Sequence, residues 1–382
     1  MRAPTAVVPS LAAAVLLAGC LPQQRQEPTA PPFVFRSLEL RQKDAEGQPS
    51  WEITSPEARY DLGRKLAQAR ELRGLIYANG RPLYRVSATR GVVLNDGEVV
   101  QLEGPTRVER LGEDPLVISA LRVRWYPQQG RMLLDRQPYA NQRRLTLTAR
   151  RAVFDFNADR LELSGEPELI DRGPAQTRLS LKRVQWWAAS GNLLGEGPVR
   201  GTRTEQELGQ QTLLSPSLSG NTIRQELLLA APVELVVPGE QAALRAQTTR
   251  IDLQRQTISS ELPFKGRRGA MQVSGQSFRL QGQTTTLIIP AGCELSQPGD
   301  RLTADACSWN WRTNQVQARG DVELRREQNG LITRANQLDG RAARDGSVVF
   351  TQPGGRVTTQ FRIPSDSGTQ GRSAGTRLPI QL

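Results

Sequence analysis

Apolar residues recur at every second position through most of this chain, and the clearest case is residues 148–171. There Ala152, Phe154 and Phe156 alternate with polar neighbours, Asn157, Ala158 and Asp159 follow, and Leu161 and Leu163 resume the alternation before Gly165 and Pro167. A period of two is the pattern of a strand with one buried face, and Asn and Asp between two such runs mark a tight turn. The stretch predicts a β-hairpin with one dry face.

The same pattern returns along the chain. Residues 303–324 superimpose on it without a gap, with Trp309 and Trp311 in place of Phe154 and Phe156, Val316 in place of Leu161 and Gly320 in place of Gly165. A copy from Ser180 carries Val184, Trp186, a Ser190-Gly191 turn, Leu193 and Gly197; one from Ser87 carries Gly91, Val93, an Asp96-Gly97 turn, Val100, Leu102 and Gly104. A copy from Ser119 keeps Val123, Trp125, a Gln129-Gly130 turn and Met132 but has Arg136 for the glycine, and poorer copies start at Thr54, Ser215, Thr248, Ser274 and Thr333. A spacing near 30 residues holding two strands predicts an all-β repeat architecture over roughly residues 33–363. The glycine of each copy, inside a strand, predicts a bulge or bend. Only residues 64–75, with Leu66, Ala69, Leu72 and Leu75 three apart, also fit a helix; the repeat favours strand there.

Charge changes the picture less than its size suggests. Of the 50 Lys and Arg residues, four are lysines (Lys43, Lys65, Lys182, Lys265), and the net charge is +12. Arginine forks suit phosphate and carboxylate groups, yet acidic and basic residues interleave throughout, which is equally the pattern of a solvated surface. The absence of histidine removes the commonest general base and metal ligand. Paired carboxylates in a cleft are not indicated either, since acids such as Asp155 and Glu162 fall at turns or on the polar strand phase. No enzymatic activity, cofactor, metal site or nucleic-acid partner is expected.

The ends differ from the body. Residues 1–20 join Arg2, an apolar run from Leu11 to Leu17 and Leu17-Ala18-Gly19-Cys20. The run is too short to span a bilayer and reads as a secretory signal. Its last four residues resemble a bacterial lipoprotein signal, which implies a diacylated Cys20 as the membrane anchor. Residues 21–32, rich in Pro and Gln, predict an extended tether, and residues 364–382, rich in Ser, Gly and Arg, a disordered tail. The polar stretch 196–218 predicts a linker or rim loop between a first region at 33–205 and a second at 206–363. Cys293 and Cys307 stand evenly about the Pro298-Gly299-Asp300 turn, so they pair as a disulfide across a hairpin or remain two small buried thiols.

A tether, an extended lead-in with Trp51, and serial copies of an aromatic strand, a turn and a glycine-bearing strand, with Ser/Thr-Ala at 119–120, 148–149 and 303–304, resemble the LptC/LptA/OstA family of lipopolysaccharide export. The resemblance implies an open, twisted antiparallel β-jellyroll, two in tandem or one extended. It also implies lipopolysaccharide as ligand, an LptF/LptG-type inner-membrane permease as donor, an LptA-type bridge as acceptor, and a periplasmic site anchored to the inner membrane, with the outer membrane as the alternative. The chain departs from the family in having a lipoprotein-like anchor and about twice the expected length.

Strand parity places Trp125, Phe154, Phe156, Trp186, Trp309 and Trp311 inward. In a closed sandwich they are core, and they touch acyl chains only if the sheets splay apart. Val357, Thr359, Phe361 and Ile363 mark a terminal strand open to addition of a partner strand, and residues 33–40 mark the opposite edge, expected to dock on the transporter. The competing reading is an envelope structural or adhesive β-repeat lipoprotein without lipid transport.

Overall fold

The structure is a computed structural model that describes residues 33–173, 176–205, 209–327, 330–342 and 347–360. Cys20, Phe361 and Ile363, the signal, the tether and the tail lie outside the described residues. Strands account for nearly all regular structure, every pairing is antiparallel, and the helical pieces among the described residues are three-residue 3-10 turns. The hairpin of residues 148–171 forms as Arg151–Asp155 and Arg160–Ser164, with Phe154 opposite Leu161 and both buried. Most of residues 64–75 fall in the strand Leu66–Ala78, where Ala67 and Ala69 and, after a shift of phase at Glu71, Leu72, Gly74 and Ile76 are buried.

Successive hairpins do not stack on one another; they alternate between two sheets. Arg160–Ser164 pairs forward with Arg183–Trp187 in the first sheet, whereas the intervening Glu168–Asp171 and Thr177–Ser180 pair with Leu145–Thr148 and with the far half of Asn192–Glu205 in the second. One 30-residue spacing therefore holds four short strands instead of the expected two. The period is legible in one sheet only because its companion hairpin has weaker apolar phasing.

The chain crosses between sheets at the repeated glycines. Gly104, Gly165 and Gly320 have φ of +82°, +75° and +73°, a region that favours glycine. At Gly165 a Cβ would lie 2.8 Å from Arg150 Cβ. In the long strands the pairing shifts at the same places, between Glu103 and Thr106, Glu196 and Val199, and Arg319 and Val322. Among the described residues the crossings form a spine along one side, and the hairpin turns line the other. The result is a long antiparallel jellyroll, closed at the spine, whose mouth is bordered by turns.

Residues 196–218, predicted as a linker or rim loop, hold two of the longest strands, Asn192–Glu205 and Gly209–Asn221, paired from Asn192 with Asn221 to Glu205 with Gly209. Polar residues such as Asn192, Glu196 and Arg200 lie on the exposed phase, while Ser215 and Asn221 are buried, so the polarity there does not mark a break in the strands. Pairing runs without interruption from the first strands to the last. The interior is less continuous: one buried cluster runs from Trp51 to Val233 and a second from Ala246 to Leu338.

Many arginines meet acids across neighbouring strands, as in Arg178 with Glu168, Arg245 with Glu234 and Arg301 with Glu294. Each such exposed pair contributes about 0–1 kcal/mol, so much of the arginine excess belongs to the outer sheet faces.

Candidate binding cavity and mouth

Near the N-terminal end the space between the sheets is filled by rings. Trp51 meets Trp125 edge-on at 5.6 Å, and Tyr84 meets Phe154 and Phe156 at 5.4 and 5.1 Å. Trp125, Phe154 and Trp186 are all but fully buried, and Phe156 is half-buried against the same cluster. In the second cluster Trp309 is buried, Trp311 packs against the cluster from a half-buried position, and Phe264 and Phe278 lie 4.7 Å apart. The buried Trp309 indole N–H has no hydrogen-bond partner among the described residues. These aromatic side chains form packed core, and none of the six candidates lines the apolar cavity described next.

That cavity, about 310 Å³, lies where one cluster gives way to the other. The first sheet contributes Leu193, Leu227, Ile251 and Ile258; the second contributes Leu179, Leu213, Leu235 and Leu244. The local cause is visible in the chain: between Trp187 and Phe264 there is no Phe, Trp or Tyr. Strand alternation continues through that stretch and keeps both sheets, but leucine and isoleucine do not span the gap that rings fill on either side. The absence of aromatics in an otherwise regular repeat was the available signal, and attention to the ring-bearing copies misses it. On the mouth side the cavity is bordered by Gln142, Arg143, Arg144, Asp171 and Arg203 from the second sheet and by Gln225 and Glu226 from the first. Arg144 forks onto Asp171 at 3.1 and 3.0 Å, and Arg143 reaches Asp114 at 3.1 Å.

Cys293 and Cys307 are joined as a disulfide with Cα atoms 5.8 Å apart, inside the second cluster. The two are not opposite each other in the 293–304 hairpin, where Cys293 faces Ala304; Cys307 lies beyond the crossing, facing Ile289 in the other sheet. The bond therefore ties the two sheets together beside the spine.

Among the described residues the first and last strands lie at sheet edges. Phe33–Phe35 pairs with Glu57–Asp61 in the first sheet and Leu38–Lys43 with Pro49–Ser55 in the second, and Phe33, Val34 and Phe35 are 52, 61 and 42% exposed. At the other end Thr358–Gln360 pairs with Ile332 to Arg334, with Thr359 opposite Thr333, and Val357 precedes the strand. Among the described residues no helix is long and apolar enough to cross a membrane.

Residues 17–166, less than half of the chain, match the family model described as lipopolysaccharide-assembly, LptC-related. No curated protein matches. Among solved structures the chain is similar to LptH from Pseudomonas aeruginosa, described as the LptA homologous periplasmic component of the conserved lipopolysaccharide transport device. The identity is 20%, the match covers 32% of this chain and 87% of that one, and the TM-score is 0.27. Over residues 17–166 this chain resembles the LptC-related, lipopolysaccharide-assembly family.

Proposed function

We propose that the protein is a periplasmic component of lipopolysaccharide export, held at the inner membrane by acylated Cys20. It accepts lipopolysaccharide from an LptF/LptG-type permease and passes it to an LptA-type bridge. The observation that carries this reading is the LptC-related match, which covers the same strands that open the jellyroll. The leucine-lined cavity adds support. At about 30 Å³ per water-sized group, 310 Å³ is the bulk of roughly one acyl chain, and a purely structural repeat gains nothing from leaving it unfilled. The open edges at the two ends suit strand addition, the N-terminal pair toward the transporter and Thr358–Gln360 toward the bridge.

The test is co-purification from cells carrying the affinity-tagged full chain. Permease and bridge should both be recovered, and Thr359→Pro should reduce the bridge without reducing the permease. Equal recovery of the bridge with Thr359→Pro refutes the edge assignment, and recovery of neither partner by the native chain refutes the export role.

A further inference from the structure

The mouth is not equally accessible along its length. In the N-terminal half, side chains reach from the turns of one sheet to those of the other. Asp159, on a first-sheet turn, accepts the Tyr84 hydroxyl of the second sheet at 2.8 Å and stands 3.8 Å from the Arg110 guanidinium of that sheet. Its other oxygen accepts the Ala189 amide of the next first-sheet turn at 2.6 Å. Gln142, buried at the end of the second-sheet strand Tyr139–Gln142 and at the edge of the mid-chain cavity, donates to Asp114 at 2.9 Å and reaches the Ala188 carbonyl across the mouth at 3.5 Å. Asp114 in turn lies 3.8 Å from Arg110 and accepts from Arg143.

Behind this bridge stand the Tyr84, Phe154 and Phe156 rings. Burial, and then the Asp159 charge, push the Tyr84 phenol well above its ordinary range. Asp159 takes the left-handed turn conformation at φ +46°, which aims one short carboxylate at three groups on three different elements. Beside the mid-chain cavity, by contrast, Arg144 pairs with Asp171 within the second sheet and Arg224 with Glu226 within the first.

We propose that Tyr84, Asp159 and Arg110 form a latch that holds the two sheets closed over the packed rings of the N-terminal half, so that apolar ligands are confined to the mid-chain cavity, which they reach sideways through the mouth, unless the sheets part there. This rests on the reading of the interior as an acyl-chain site. It adds that the two halves are not interchangeable: movement of a chain along the full groove requires the latch to open. A hydrogen bond to a charged group at a buried site is among the stronger ones, so its loss should raise the open population about tenfold.

The test uses the purified full chain and a long-chain fatty acid bearing a photoactivatable diazirine, with adducts mapped by mass spectrometry and hydrogen exchange followed on the same protein. In the native chain adducts are expected at cavity residues such as Leu213, Leu235 and Ile251. Asp159→Asn and Tyr84→Phe should each extend them to Val86 and Phe154 and speed exchange at the Ala189 amide about tenfold. Tyr84→Phe keeps the ring contacts and serves if Asp159→Asn does not fold.

Native protein labelled as heavily at Val86 and Phe154 as in the cavity overturns the latch and leaves the cavity reading standing. So do variants whose exchange quickens while the adduct map stays the same. Label absent from the cavity of the native chain but present at Phe154 in the variants supports the latch and overturns the cavity reading. Label absent throughout overturns both.

Discussion

Leu235→Phe separates an unfilled interior from a packed one by the sign of its effect. Leu235 is half-buried, lines the cavity, and sits between Leu213 and Leu244 on the adjoining strands. The substitution adds three carbons. If they enter the 310 Å³ cavity, burial at about 0.8 kcal/mol per carbon sets an upper bound near 2 kcal/mol of added stability. The same change at Leu134, 1% exposed in the first cluster, has no space to enter and should cost about 1–3 kcal/mol through displaced neighbours. The assay is chemical denaturation of the full-length protein, following tryptophan fluorescence and comparing midpoints at constant slope. Leu235→Phe should raise the midpoint or leave it unchanged, Leu134→Phe should lower it, and Leu235→Phe should also reduce labelling by the diazirine fatty acid. A loss of 1 kcal/mol or more at Leu235 would mean that the leucines already fill the space, and the cavity would cease to support lipid binding.

Other consequences are smaller in scope. Replacing both Cys293 and Cys307 by alanine, or reducing them, should cost about 3 kcal/mol for a loop of this length and speed amide exchange in residues 286–310; unchanged exchange there would mean that the packed cluster alone holds the sheets together. Gly165→Ala forces a Cβ into the left-handed region and against Arg150, costing roughly 1–2 kcal/mol, visible as a lower unfolding midpoint. Glu323 is held below the usual carboxylate range by its hydrogen bond from Arg325, opposed by partial desolvation and aided by Arg334. A depressed folded value contributes stability that is present above the ordinary Glu value near 4.3 and lost as pH falls through the folded value. Protection of strands Gln315–Arg326 and Leu331–Arg341 should therefore fade on the acid side of about pH 4, and Glu323→Gln should abolish that dependence. For Tyr84 the sign is reversed: its raised value makes the neutral phenol the stabilised form. Stability should decline as pH rises above about 10, and less so in Tyr84→Phe.

The strands were legible because each buries a side chain at every second position, a property of the local sequence that Ala152, Phe154 and Leu161 display without help from the rest of the chain. The glycines at 104, 165 and 320 were legible as bends for a similarly local reason, the freedom of glycine at positive φ. Which sheet a hairpin joins is not local. Thr177–Ser180 and Arg183–Trp187 are three residues apart and belong to opposite sheets, a distinction made by partners that lie up to two hairpins away. The disulfide shows the same limit, since even spacing about a turn brought Cys293 and Cys307 together on paper but suggested a cross-hairpin bond, whereas the crossing after Ala304 places them in different sheets. Asp159 reads as an ordinary turn residue; its partner Tyr84 lies 75 positions upstream. The cavity escaped notice because it follows from residues that are missing, the rings absent between Trp187 and Phe264.

The most direct test of lipid transport is photocrosslinking in living cells from a reactive amino acid placed at Leu227 and Leu235, with Leu134 as a packed-core control. Lipopolysaccharide adducts at the two cavity positions and none at Leu134 are the predicted result. Cells with functioning export and no lipopolysaccharide adduct at either cavity position would contradict the account.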